Sequence, residues 1–325
     1  MIIRSLWRAS KIESLQPPYN TIHLKVFYPA EESQGKKQIF PSVNKEKAPF
    51  PVVIFFSGGN CNLENYQWLA VELSKRGTIA VLFNWVGEVL PGLVGLIPGV
   101  NLAIRKPDVY GTTPTAIALP SILNELENLN SQGVLAGAID SEKIVLGGHS
   151  GGGRVALENA DPSFFPTVKA AFAYGAHSAG RLDLGYEPET FLSLPSSLPM
   201  LLLGGSLDGI MANASNSYGV SEWETPYTPI IRTFKEAISS KRNDVYLAIV
   251  EGASSYSICD RKDSTFSISD TDFTPTRSTA EIHSFLAEII SLFIDYHIRQ
   301  EISAFQKLSE LLTTDNPIIA HFDRK

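Results

Sequence analysis

The sequence predicts an α/β protein: a mostly parallel, doubly wound sheet flanked by helices. Three observations carry that expectation. Short apolar runs, each about as long as one strand, recur along the chain. Segments with helical apolar spacing fall between them. Strand and helix alternate through most of the chain, the order that a parallel sheet with crossover helices requires.

The first strand signal is Thr21 to Pro29, TIHLKVFYP, which alternates apolar and polar residues and reads as a half-buried strand near a sheet edge. Pro51 to Gly59 is a continuous apolar run ending in glycines, the pattern of a parallel strand buried on both faces. The same pattern returns at Thr78 to Trp85, Lys143 to Ser150, Val168 to Ala176, Pro199 to Ser206 and Asp244 to Gly252. Helices are expected over Leu63 to Arg76, closed by Gly77, and over Thr115 to Asn130 and Gly151 to Ala160. Two more are expected over Trp223 to Ser240 and Thr279 to Arg299. Glu31 to Lys47 reads as a polar loop, and residues 300–325 as a peripheral helix and tail. With no internal repeat or low-complexity tract, residues 1–325 read as one domain. Val86 to Gly111 is apolar, rich in Gly and Pro, and without helical period. It leaves the C-terminal end of a strand, where open α/β sheets place their ligands. It is either a lid or pocket wall over residues 86–111, or a buried connection.

Composition excludes several classes. The chain has 325 residues, 44% hydrophobic and 19% charged, enough for a substantial core. A net charge of -7 without a Lys/Arg cluster speaks against nucleic acid as a partner. Two cysteines, Cys61 and Cys259, exclude a disulfide framework and read as separate core residues. The first residues lack a signal-peptide pattern, and no apolar window reaches membrane length. The expectation is a cytoplasmic protein without integral membrane association. No metal, nucleotide or other cofactor is implied: H-E-x-x-H spacing and the G-K-[ST] of a P-loop are both missing.

The chemistry is carried by GGHSGGG, Gly147 to Gly153, which holds G-x-S-x-G centred on Ser150. It lies between an apolar strand and a helix-forming run, the setting of a nucleophile elbow. There the serine occupies a tight strand-to-helix turn, so its neighbours must be small; Gly148 and Gly152 meet that need. A helix N-terminus at Ser150 also favours negative charge.

The chain resembles the α/β-hydrolases, and within them the branch holding dienelactone hydrolases, chlorophyllases and PET-degrading cutinases. The likeness runs from about Thr21 to Tyr296 and rests on VFYPA, FPVVIFFSGG, GHSGGG, LLLGGSLDGI and EGASSYS. It implies an α/β-hydrolase fold and a serine esterase that works through an acyl-enzyme. Ser150 takes the nucleophile position and Asp208 that of the acid orienting the base. The oxyanion donors are the backbone N–H groups of Gly59 and Gly151, with the Asn60 side chain as a secondary candidate. Ser57 stands where the family usually has a structural histidine.

The departure lies at Ser255. Matching GASSY to the family's G-A-S/N-H-F/Y puts Ser255 on the position of the catalytic histidine. A serine hydroxyl is not basic near neutral pH, so Ser150 would keep its proton. Of the six histidines, His149 should point away from the substrate, His23, His283, His297 and His321 lie elsewhere, and His177 is the alternative base, with Asp183 close in sequence. Three readings stay open. The natural protein has histidine at 255 and this chain is a trapping variant; or Ser255 is native and activity is lost or redirected; or His177 supplies the base. A small-molecule ester with an apolar group is the expected substrate, with Trp85, Trp223 and Tyr256 as pocket aromatics. The rival classes are a non-catalytic homologue that binds an apolar ligand or a protein, and an acyltransferase.

Overall fold

The structure is a computed structural model, and it describes residues 2–32, 41–90, 92–262, 267–313 and 315–325. Ten strands are present among the described residues: β1 (Ile2–Lys11), β2 (Thr21–Ala30), β3 (Phe50–Phe56), β4 (Ile79–Leu90), β5 (Leu93–Leu96), β6 (Ile139–His149), β7 (Val168–Tyr174), β8 (Met200–Gly205), β9 (Val245–Val250) and β10 (Ile319–Arg324). The main sheet runs β1-β2-β4-β3-β6-β7-β8-β9-β10, with β5 paired to β4. The centre is parallel, from β4 through β9. Both edges are antiparallel: β1 with β2 and β2 with β4 at one side, β10 with β9 at the other.

Helices cover both faces. The helices are α1 (Gln67–Lys75), α2 (Leu119–Ser131), α3 (Ser150–Glu158), α4 (Gly209–Asn213), α5 (Thr228–Arg232), α6 (Thr279–His297) and α7 (Ile302–Leu311). Period-two alternation sorts each strand between two cores. In β3, Val52, Ile54 and Phe56 join the core under α2, α3 and α5. Val53 and Phe55 join the core under α1, α6 and α7. Both faces are apolar, which explains why the strand reads as an unbroken apolar run. This is the α/β-hydrolase fold expected from the sequence.

Several elements differ from expectation. β1 gives the sheet an extra edge, so β2 lies one strand inside it. β4 continues to Leu90 and forms a hairpin with β5, so the Gly/Pro-rich stretch begins as sheet rather than as an irregular lid. Further along, Leu102–Arg105 forms a single 3-10 turn. Trp223 lies outside any helix; α5 starts only at Thr228, with Pro229 in its first turn, and ends in a wide π turn over Thr233–Ala237. Prolines at 226 and 229 lack the N–H that a helix interior needs, so the helix can begin only around the second of them. The expected tail is α7 followed by β10, which extends the sheet beside β9.

Candidate active site

β6 ends at His149 and α3 begins at Ser150. Ser150 has φ of +52°, in the left-handed region that non-glycine residues rarely enter. Such a conformation costs about 1–2 kcal/mol and is held in place by its surroundings. The flanking glycines show what holds it. A Cβ on Gly148 would meet the backbone of Gly152, and one on Gly152 would meet the carbonyl oxygens of Phe56 and Ser57. The elbow therefore packs directly on the end of β3.

Ser150, Asp208 and Ser255 line one cavity of about 290 Å³, at the C-terminal ends of the central strands. Three separate elements deliver them: the β6–α3 turn, the first turn after β8, and the short helical turn Ser255–Ile258 after β9. Asp208 is fully buried and caps α4, its Oδ1 accepting from the Met211 N–H at 2.9 Å. Its Oδ2 has no hydrogen-bond partner. Burial pushes its carboxyl up to about 7; the Met211 N–H pulls the other way, and the neighbouring Asp272 charge adds to the rise. Ser255, which lines the same cavity, is itself buried.

Sequence reading missed Asp272. Its Oδ1 accepts from the N–H groups of Gly209 and Ser255, at 3.0 and 3.2 Å, and its Oδ2 from that of Tyr256 at 3.0 Å. It fastens the turn at Ser255 and Tyr256 to the start of α4. No motif marks it; it is one aspartate in the polar stretch SDTDFTP.

His177 lines the same cavity, as expected, but is poorly suited to act as a base. Burial and the Arg154 charge push its pKa down to about 3. Its Nδ1 accepts from the Ala179 N–H at 3.2 Å, and its ring stands edge-on to Tyr218. Asp183 pairs with Arg181 instead. His149 is buried beneath the turn, with Nδ1 2.8 Å from the Tyr66 hydroxyl. His283 stacks on Trp68, and His297 meets the Tyr246 hydroxyl; neither reaches the cavity.

Of the oxyanion candidates, Gly151 lines the cavity. Gly59 is exposed at the end of the β3 loop and is not among the lining residues. The Asn60 side chain is engaged elsewhere: its Oδ1 accepts from the Leu96 N–H, and its own backbone N–H donates to the Leu96 carbonyl, tying the loop to β5. Asn60 is likewise not among the residues lining the cavity. The three pocket aromatics are corrected. Trp85 is a core residue whose indole N–H donates to the Tyr19 carbonyl. Trp223 is buried behind Tyr218, which lines the cavity in its place. Tyr256 lines a different pocket, beside Cys259 and Asp272.

The cavity wall is mixed rather than apolar. Leu102, Ile210, Met211 and Ile268 supply apolar surface, while Arg105 and Arg154 supply charge. Both arginines bond to the buried Glu158: Arg105 to Oε2 at 2.7 and 2.9 Å, Arg154 to Oε1 at 2.7 Å. Burial pushes the Glu158 carboxyl up, but the two guanidiniums outweigh it and hold it below the usual range. Two cations share one anion, so this wall carries one excess positive charge.

The geometry is that of a strand-to-helix elbow bearing a serine, in an α/β-hydrolase fold. The chain is similar in structure to a ferulic acid esterase from Streptomyces cinnamoneus, with a TM-score of 0.61 and 17% identity over 98% of this chain and 96% of that one. The chain matches no protein-family model and no curated protein. Among the described residues, no helix is long and apolar enough to cross a membrane.

Proposed function

We propose that this chain is a serine esterase of the carboxylesterase type whose general-base position is occupied by Ser255. The observation that carries the reading is Ser150, strained at φ of +52° on a strand-to-helix turn, sharing one cavity with Asp208 and Ser255. Ser150 Oγ attacks the ester carbonyl, the Gly151 N–H stabilises the oxyanion, and the alcohol leaves. Water then cleaves the acyl-enzyme. Asp208 is the acid that would orient a histidine at 255. Without that base, Ser150 gives up its proton slowly, and the rate that remains comes from positioning and oxyanion stabilisation. His177, with its pKa near 3 and its Nδ1 occupied, supports a lining role rather than that of a relocated base. The substrate is a small ester with an apolar group against Leu102, Ile210 and Met211. A feruloyl ester is a suitable first test, given the structural neighbour.

One observation favours the second reading, a homologue that binds a ligand without turnover. Asp208 is held at about 7, the state of an acid without a cationic partner. Covalent labelling separates the two. A fluorophosphonate probe followed by peptide mass mapping should place an adduct on Ser150, slowly in this chain and faster in Ser255→His. No adduct on Ser150 in either protein would favour the binding homologue.

A further inference from the structure

Three donor side chains that the catalytic reading does not use meet beneath the site. The ligand atoms of Cys61, His149 and Cys259 all lie within 4.8 Å of one another, and all three residues are buried. This corrects the expectation of two unrelated core cysteines. We propose that Cys61, His149 and Cys259 bind one Zn²⁺ ion as a structural centre tying together three loops of the active site. Cys61 follows Gly59 and Asn60, His149 immediately precedes Ser150, and Cys259 ends the turn that begins at Ser255.

Charge argues for the ion. Two thiolates and a neutral imidazole around Zn²⁺ make a buried site with no net charge, whereas Cu⁺ would leave one negative charge in the core. Distance argues for it as well. Zinc bonds of about 2.0–2.3 Å in a tetrahedron put donor atoms about 3.4–3.8 Å apart, so the cluster needs to contract by only about 1 Å. His149 has one ring nitrogen on the Tyr66 hydroxyl and the other, Nε2, without a partner. That hydroxyl in turn accepts from the Gly58 N–H, an outer contact of the kind that orients a ligating histidine. A water completes four-coordination.

Access is also present. A surface pocket of about 310 Å³ is lined by Cys259 together with Asp260, Asp272 and Lys262, so two carboxylates against one ammonium face a cation that enters. The proposal is independent of the esterase reading, because it uses neither Ser150 nor Asp208.

The test is metal analysis of the full chain. Protein expressed with added zinc and dialysed against buffer should hold about one Zn²⁺ per chain by mass spectrometry of the elements. Cys61→Ser and Cys259→Ser should lose it. Replacing zinc by Co²⁺ should give an intense thiolate-to-metal band in the near ultraviolet, and Zn²⁺ should raise the unfolding midpoint of the metal-free protein. The proposal is overturned if the wild-type chain holds no zinc above background, or if both cysteine variants keep it. It is equally overturned if intact mass shows Cys61 and Cys259 joined as a disulfide. Should neither variant fold, the cobalt spectrum of the wild-type chain decides, since no thiolate band means no site.

Discussion

Replacing Asp208 by asparagine isolates the electrostatic state of the site. Asp208 is fully buried, lacks a partner at Oδ2, and has Asp272 as a neighbour. Its carboxyl titrates at about 7, against an ordinary value of 3.8. Between those values the native state keeps a proton that the unfolded chain has released. The native state therefore binds more protons, and stability falls as pH rises through this window. At about 1.4 kcal/mol per pH unit, the full window makes folding about 4 kcal/mol less favourable at pH 8 than below pH 3.8, as far as this group is concerned. The asparagine side chain keeps an oxygen for the Met211 N–H and cannot ionise. The assay is urea unfolding of both proteins at pH 4 and pH 8. The advantage of Asp208→Asn should grow by several kcal/mol from the lower to the higher pH. A difference that is flat with pH would refute the argument that burial, not a cationic partner, sets this carboxyl.

The packing yields three further predictions. Because Ser150 is at φ of +52°, Ser150→Gly should be about 1 kcal/mol more stable than Ser150→Ala, as read by urea unfolding. Glu158→Ala leaves Arg105 and Arg154 buried without an anion and should cost about 3–5 kcal/mol, seen as a large drop in the unfolding midpoint. Asp272→Ala strips the acceptor from three N–H groups and removes the charge beside Asp208. It should cost about 1–3 kcal/mol and move the Asp208 titration downward, visible as a narrower pH window in the same unfolding series.

The parts of this molecule that depend on local pattern were legible in the sequence. The central strands are apolar on both faces, so β3, β4 and β6 to β9 stand out as runs. The elbow is legible because steric crowding leaves room only for glycine at 148 and 152. Asp208 and Ser255 were placed by resemblance, and the cavity brings both to Ser150. Features built from distant segments were not legible. Cys61, His149 and Cys259 come from segments after β3, at the end of β6 and after β9, far apart in sequence, and no spacing rule connects them. Arg105 reaches Glu158 from the Gly/Pro-rich stretch, which read as apolar with few basic residues. Trp85 and Trp223 resembled pocket aromatics because sequence gives no sign of which face a large ring packs against. β10 is too short, and too polar in its second half, to read as a strand until β9 offers it an edge.

The most direct test of the account is hydrolysis of a short p-nitrophenyl ester by this chain, Ser150→Ala and Ser255→His. This chain should turn over little faster than Ser150→Ala, and Ser255→His should gain several orders of magnitude in kcat/KM. An already active, Ser150-dependent chain that gains nothing from histidine at 255 would contradict it, and would mean that the base lies elsewhere.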